Sequence, residues 1–200
     1  MKISIKFLTL IIFIATLIAM TLGVALSAGP PVVTPGADAA AVHLGAVRYR
    51  ELATDNDNNV FLGVPDLADP LRSTQTDLIW GASNTISFTY DTALDKLTTT
   101  INNGTTDWTL EYPNFSTNVR DLVFAGDQTA ADSALSSLNY MQIDTTLKEG
   151  SPAQLSLDDV YLDGNLLGSF PGVFHGTESW QVSNYDFSAG FTLTGVLNLS

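Results

Sequence analysis

Residues 84–112, "NTISFTYDTALDKLTTTINNGTTDWTLEY", decide the fold. Read two at a time, Ile86, Phe88 and Tyr90 fall on one side of an extended chain. So do Leu97, Thr99 and Ile101, and then Trp108, Leu110 and Tyr112. Alternation of this kind, rich in β-branched and aromatic residues, is the signal of a strand with one buried face. Asn102-Asn103-Gly104, between the second and third runs, is a turn of the Asn-Gly kind that needs positive φ. The stretch therefore predicts three consecutive antiparallel strands.

Short runs of the same character continue on both sides. Upstream stand "AVRYREL" (46–52) and "VFLG" (60–63), separated by the loop "DNDNN". Downstream stand "VRDLVFA" (119–125), "NYMQIDT" (139–145), "AQLSLDDVYLDG" (153–164), "SWQVSN" (179–184) and "GFTLTGVLNL" (190–199). In 153–164 the apolar members are Leu155, Leu157, Val160 and Leu162, which requires a phase slip at Asp158-Asp159. In the last run Phe191 and Leu193 share a face, and a phase change at Gly195 is expected to bring Val196 to the same side. Roughly nine or ten short strands at this spacing predict an all-β fold, an antiparallel β-sandwich of jelly-roll-like form. Only "DQTAADSALSSLN" (127–139) carries a helical pattern, with Ala131, Ala134, Leu135 and Leu138 on one side; a long loop fits it equally.

The N-terminus reads differently. Lys2 and Lys6 precede an almost wholly apolar run from Phe7 to Leu26, followed by small residues at Ala25, Ser27 and Ala28. This is the pattern of a secretory signal peptide, and an uncleaved membrane helix is the alternative. The domain plan is thus residues 1–28 as signal peptide or membrane helix, 29–41 as a Pro/Gly/Ala-rich extended spacer, and 42–200 as a single β-sandwich domain. Either reading of the N-terminus places the rest outside the cytoplasm, secreted or at the cell surface.

The chain carries a net charge of −13, and since Lys2 and Lys6 lie in the leader the remainder carries −15. Such a surface repels phosphate backbones and anionic lipid, so nucleic acid is excluded as a partner, and membrane contact is confined to the N-terminal segment if it stays. There is no cysteine, so neither disulfides nor a thiolate zinc site are available.

The order of features resembles the choice-of-anchor W domain of exported microbial proteins. The residues that carry it are "RYREL…NNVFLGVPDL", "QTDLIWGASNTISFTYDTALDKLTTTI", "YMQIDTT", "LSLDDVYLDGNLLG" and "SWQVSNYDFSAGFTLTGVLNLS", spanning about 42–200. The resemblance implies a secreted or surface-held β domain with no assigned catalytic residues. Its relatives differ in their C-terminal anchoring signals, and no sorting motif follows Gly195 to Ser200 here.

The candidate sites are sparse. Asp55, Asp57 and Asn59 alternate like the opening of a calcium loop, but Val60 stands at the sixth position and Asp66 at the twelfth, where such a loop has Gly and Glu. Calcium is the one cofactor in question, and a solvated turn is the plainer reading. Asp158 and Asp159 point to opposite faces unless a bulge intervenes. The two histidines, His43 and His175, stand in no catalytic motif, and no Gly-x-Ser-x-Gly elbow is present. Trp180 and Tyr185 are the candidates for a sugar platform, since a flat ring covers the apolar side of a pyranose. Trp108, in phase with Leu110 and Tyr112, reads as core. The expected function is therefore a non-catalytic surface or matrix component, with extracellular glycans or other surface proteins as partners. The alternatives are a carbohydrate-binding module, a strand-exchanging filament subunit, and an enzyme built on a cleft with a histidine or carboxylate pair. For strand exchange, "AGPPVVTPG" is a poor donor, because its prolines lack ladder N–H groups.

Overall fold

A computed structural model describes residues 11–12, 30–38, 42–50, 59–64, 73–75, 78–146, 155–172 and 177–199. The strands in chain order are β1 (Ile11–Ile12), β2 (Val32–Pro35), β3 (Ala46–Arg50), β4 (Asn59–Gly63), β5 (Ser73–Gln75), β6 (Ser83–Asp91), β7 (Lys96–Asn102) and β8 (Asp107–Pro113). After a helical segment follow β9 (Met141–Thr146), β10 (Leu155–Leu162), β11 (Asn165–Pro171), β12 (Thr177–Ser183) and β13 (Phe191–Leu199). One sheet has seven strands in the order β2-β12-β9-β1-β3-β4-β5, and the other six in the order β11-β10-β13-β6-β7-β8. Every ladder is antiparallel, and the two sheets pack on one apolar core.

The meander read from 84–112 is β6, β7 and β8. Ile86 pairs with Ile101 and Ile101 with Trp108, so the three apolar faces coincide. Asn84 heads the inward row of β6 and is fully buried. Its side-chain amide accepts from Gly81 N at 2.8 Å and donates to Gly81 O at 2.8 Å and Leu197 O at 3.2 Å, so its burial is satisfied.

The slip in β10 is a β-bulge. Its registers with β11 and β13 both shift between Leu157 and Tyr161, and Asp159 takes a φ of 49°. The bulge resets the phase, so Leu155, Leu157, Val160 and Leu162 are all buried. β13 does not change phase at Gly195, contrary to the sequence expectation. Phe191, Leu193, Gly195 and Leu197 all face inward and Val196 faces out. The cause lies on β10: a Cβ on Gly195 would stand 3.0 Å from Leu157 Cδ1 and 3.3 Å from Val160 Cγ2. The glycine makes room for the bulge and the alternation runs through it.

One further expectation is corrected. "VRDLVFA" is not a strand. α1 (Phe115–Asn118) runs into a π-helical turn over Val119–Val123, burying Phe115 and Val119, which are four residues apart on one helical face. Within the segment 29–41, read as an extended spacer, Val32–Pro35 pairs with β12 as an edge strand. The helical reading of 127–139 holds as α2 (Gln128–Ser136), capped by Asp127, whose carboxylate accepts from Ala130 N at 3.0 Å.

Candidate functional site

The densest group of buried polar side chains lies on the outward side of β9. Met141, Ile143 and Thr145 point into the core, so Gln142 and Asp144 point away from it, yet they are only 6% and 4% exposed. Gln142 Nε2 donates to both Asp144 oxygens at 2.8 and 2.9 Å, and Tyr140 Oη donates to Gln142 Oε1 at 3.2 Å. His43 lies within reach of the Asp144 charge. Burial pushes its imidazole pKa down and the carboxylate pulls it partly back. Burial raises the Tyr140 phenol, offset by a hydrogen bond with the Asp38 backbone. The chain Tyr140–Gln142–Asp144 is thus internally satisfied and leaves His43 as the half-buried titratable group at its rim. Among the described residues no group of three or more His, Asp or Glu side chains is arranged to hold a metal.

Elsewhere an open cleft of about 510 Å³ is lined by Tyr90, Asp95, Ser116, Asp132, Ser136 and Ser188, among others. Both of its carboxylates have partners: Asp95 caps α1 by accepting from Ser116 N at 2.8 Å and Ser116 Oγ at 2.7 Å, and Asp132 accepts from Gln128 Nε2 at 2.6 Å. Burial, with the Asp95 charge beside it, pushes the Tyr90 phenol up to about 12.

The residues singled out from sequence are spread apart. Asp55, Asp57 and His175 lie outside the described residues. Asn59 opens β4 opposite Arg50. Trp180 sits in β12 between Ile143 and Pro35, half-buried, with its ring edge-on to Phe170 at 5.0 Å. Tyr185 leans on Phe187 at 5.0 Å, and its hydroxyl is bonded to Asp163, which helps to push the phenol up to about 12 after burial itself. Each ring thus closes a different margin of the core. Asp158 Oδ2 accepts from Ser156 Oγ at 2.6 Å and Asn198 Nδ2 at 2.8 Å, tying β10 to β13, while Asp159 is exposed at the bulge. Sequence reasoning passed over Tyr140, Gln142 and Asp144, since polar residues alternating with Met141 and Ile143 read as a solvent face.

The seven-stranded sheet has one further particular. Its middle place belongs to Ile11–Ile12, with Ile11 opposite Thr146, and Ile12 opposite both Thr145 and Tyr49. No family model matches the chain, and no curated protein matches it either.

Proposed function

We propose that the chain is an exported, non-catalytic β-sandwich protein of jelly-roll-like form that serves as a structural component of the cell surface or extracellular matrix, similar in kind to the choice-of-anchor W domain. One observation carries this reading: the polar and aromatic side chains of the candidate sites are engaged in contacts within the fold. Asp158 ties β10 to β13, Asp95 caps α1, Asp144 is held by Gln142, and Trp180 packs on Phe170. The −15 charge keeps such a protein soluble outside the cell. Fractionation of the native cells with N-terminal sequencing tests it. The expected result is protein outside the cytoplasm with its leader removed near Ala28, and uncut protein in the cytosol sinks the reading.

Carbohydrate binding is the second reading, favoured by the partial exposure of Trp180 and Tyr185. A glycan array separates the two: binding that is lost in Trp180→Ala while the fold survives establishes it, and a blank array removes it.

A further inference from the structure

We propose that the place between β9 and β3 is a strand-acceptor slot, filled in the exported, leader-free protein by residues 32–34 of a second copy of this chain. The inference rests on the export reading, because a leader that is removed cannot remain a strand of the fold.

The geometry of the slot comes from β1. β3 and β9 are each antiparallel to β1, so they run parallel to one another. One strand between them sets their axes about 9.5 Å apart, too far for either to bond the other. Thr145, position 12 and Tyr49 form one row across the sheet. Thr145 and Tyr49 are fully buried and both reach the opposite sheet, through Thr145 Oγ1 to Pro171 O at 2.8 Å and Tyr49 Oη to Thr99 Oγ1 at 2.7 Å. Two residues back along each strand stand Ile143 and Val47, also fully buried. With no occupant, two backbone edges lose their partners and this apolar floor meets water.

The second copy's β2 meets the requirements of the slot. It is the first strand after the leader, and it pairs on one side only, with β12, at the sheet's outer edge. Val32, Thr34 and Pro35 are exposed there. In the slot the same residues gain a ladder on both sides. The prolines do not forbid it. The described ladder engages only two residues of β1, and Val32-Val33-Thr34 offers three consecutive N–H groups between Pro31 and Pro35. Residues 36–45 tether β2 to β3, a reach of about 33 Å when extended. Copies that each carry −15 repel one another, and residues 29–37 form an uncharged stretch that can approach a neighbour. Donor and acceptor are different surfaces, so the contact is head-to-tail and grows an open filament unless its rotation closes a ring.

The absence of cysteine makes the test direct. In one copy Val32 stands opposite Ser183 and Thr146 opposite Thr177, at the two ends of β12 and roughly 20 Å apart, beyond disulfide reach. The exported Val32→Cys/Thr146→Cys variant, shown leader-free by N-terminal sequencing, is expected to give a ladder of covalent trimers and longer species on oxidation. Either single variant stops at the dimer. Should the double variant not fold, the unmodified protein still decides. Its assemblies lengthen as salt rises from about 10 to 150 mM, because screening lowers the repulsion, and a synthetic peptide of residues 7–16 shortens them. Leader-free protein that stays monomeric in light scattering at every salt concentration, indifferent to the peptide, overturns the proposal. So does mature protein that keeps residues 11–12 and closes an Ile11→Cys/Thr146→Cys bridge within one chain, an outcome that leaves the export reading standing. Uncut protein in the cytosolic fraction overturns both, and fractionation reveals it before any cross-link is read.

Discussion

Tyr49 Oη lies 2.7 Å from Thr99 Oγ1, and this bond joins the two sheets through the middle of the core. Both residues are fully buried. Thr99 Oγ1 donates onward to Ser87 O at 2.7 Å, which leaves the tyrosine as the donor to Thr99. Tyr49→Phe is expected to cost about 1 kcal/mol, the net worth of one such bond. Thr99→Val is expected to cost more, about 2 kcal/mol, because it removes two hydrogen bonds at once, the one with Tyr49 Oη and the one to Ser87 O. Urea unfolding of the two variants ranks them, and the reverse order would show that the hydroxyl finds another partner.

Stability is expected to fall at alkaline pH. Burial raises the Tyr49 phenol, and Tyr90 and Tyr185 are pushed up to about 12. The unfolded chain gives up these protons near 10, where the folded chain still holds them. Stability is therefore full below pH 10 and falls as pH rises through 12. Tyr49→Phe should make that decline shallower in a melting-temperature profile. An unchanged slope would remove Tyr49 from the account.

Two glycines are fixed by their neighbours. Gly195→Ala presses a Cβ to 3.0 Å from Leu157 Cδ1 and is expected to cost about 1–3 kcal/mol by overpacking. Gly190→Ala is expected to cost more. Its φ is +95° and its Cβ would meet the Tyr90 carbonyl oxygen at 2.8 Å, a backbone atom that cannot swing aside. Thermal melts of the two variants check the order. Trimming Leu157 to Val in the Gly195→Ala background should recover part of the loss.

Trp180 is expected to act through packing. Trp180→Ala should destabilise by about 2 kcal/mol for a half-buried ring. In a double-mutant cycle with Phe170→Ala the two losses should fall short of additive by about 0.5–1 kcal/mol, since the rings are in contact at 5.0 Å. Strict additivity would mean that the edge-on contact contributes nothing.

The parts of the fold legible in the sequence are those whose pattern is local. Ile86, Phe88 and Tyr90 alternate without interruption, and β6–β8 form as read. The bulge was visible because Leu155 and Leu157 are out of phase with Val160 and Leu162. Val119, Leu122 and Val123 satisfy helical spacing as well as they satisfy a strand, and Asp95, twenty-one residues away from Ser116, supplies the cap that decides for helix. The bulge likewise decides the direction of Val196, from a neighbouring strand that the local run does not contain. β2 and β1 were hidden for the same reason: each pairs with strands far along the chain, and Val32-Val33 between prolines has no periodicity to read. The sequence offered calcium and sugar candidates at separate loops and margins, whereas the buried polar group on β9 lies under a strand pattern that reads as half-solvated.

β13 lies between β10 and β6, paired along nearly its whole length to both. The six-stranded sheet is therefore divided until residues 191–199 arrive, with β6, β7 and β8 on one side and β10 and β11 on the other. Every other described strand precedes in the chain the one that joins them. The pairing of Phe88 with Leu193 closes a loop of about a hundred residues, a slow event by the entropy of bringing such distant segments together. The six-stranded sheet of the nascent chain thus stays in two parts until residues 191–199 are made, and its apolar faces wait for that strand before they can be closed.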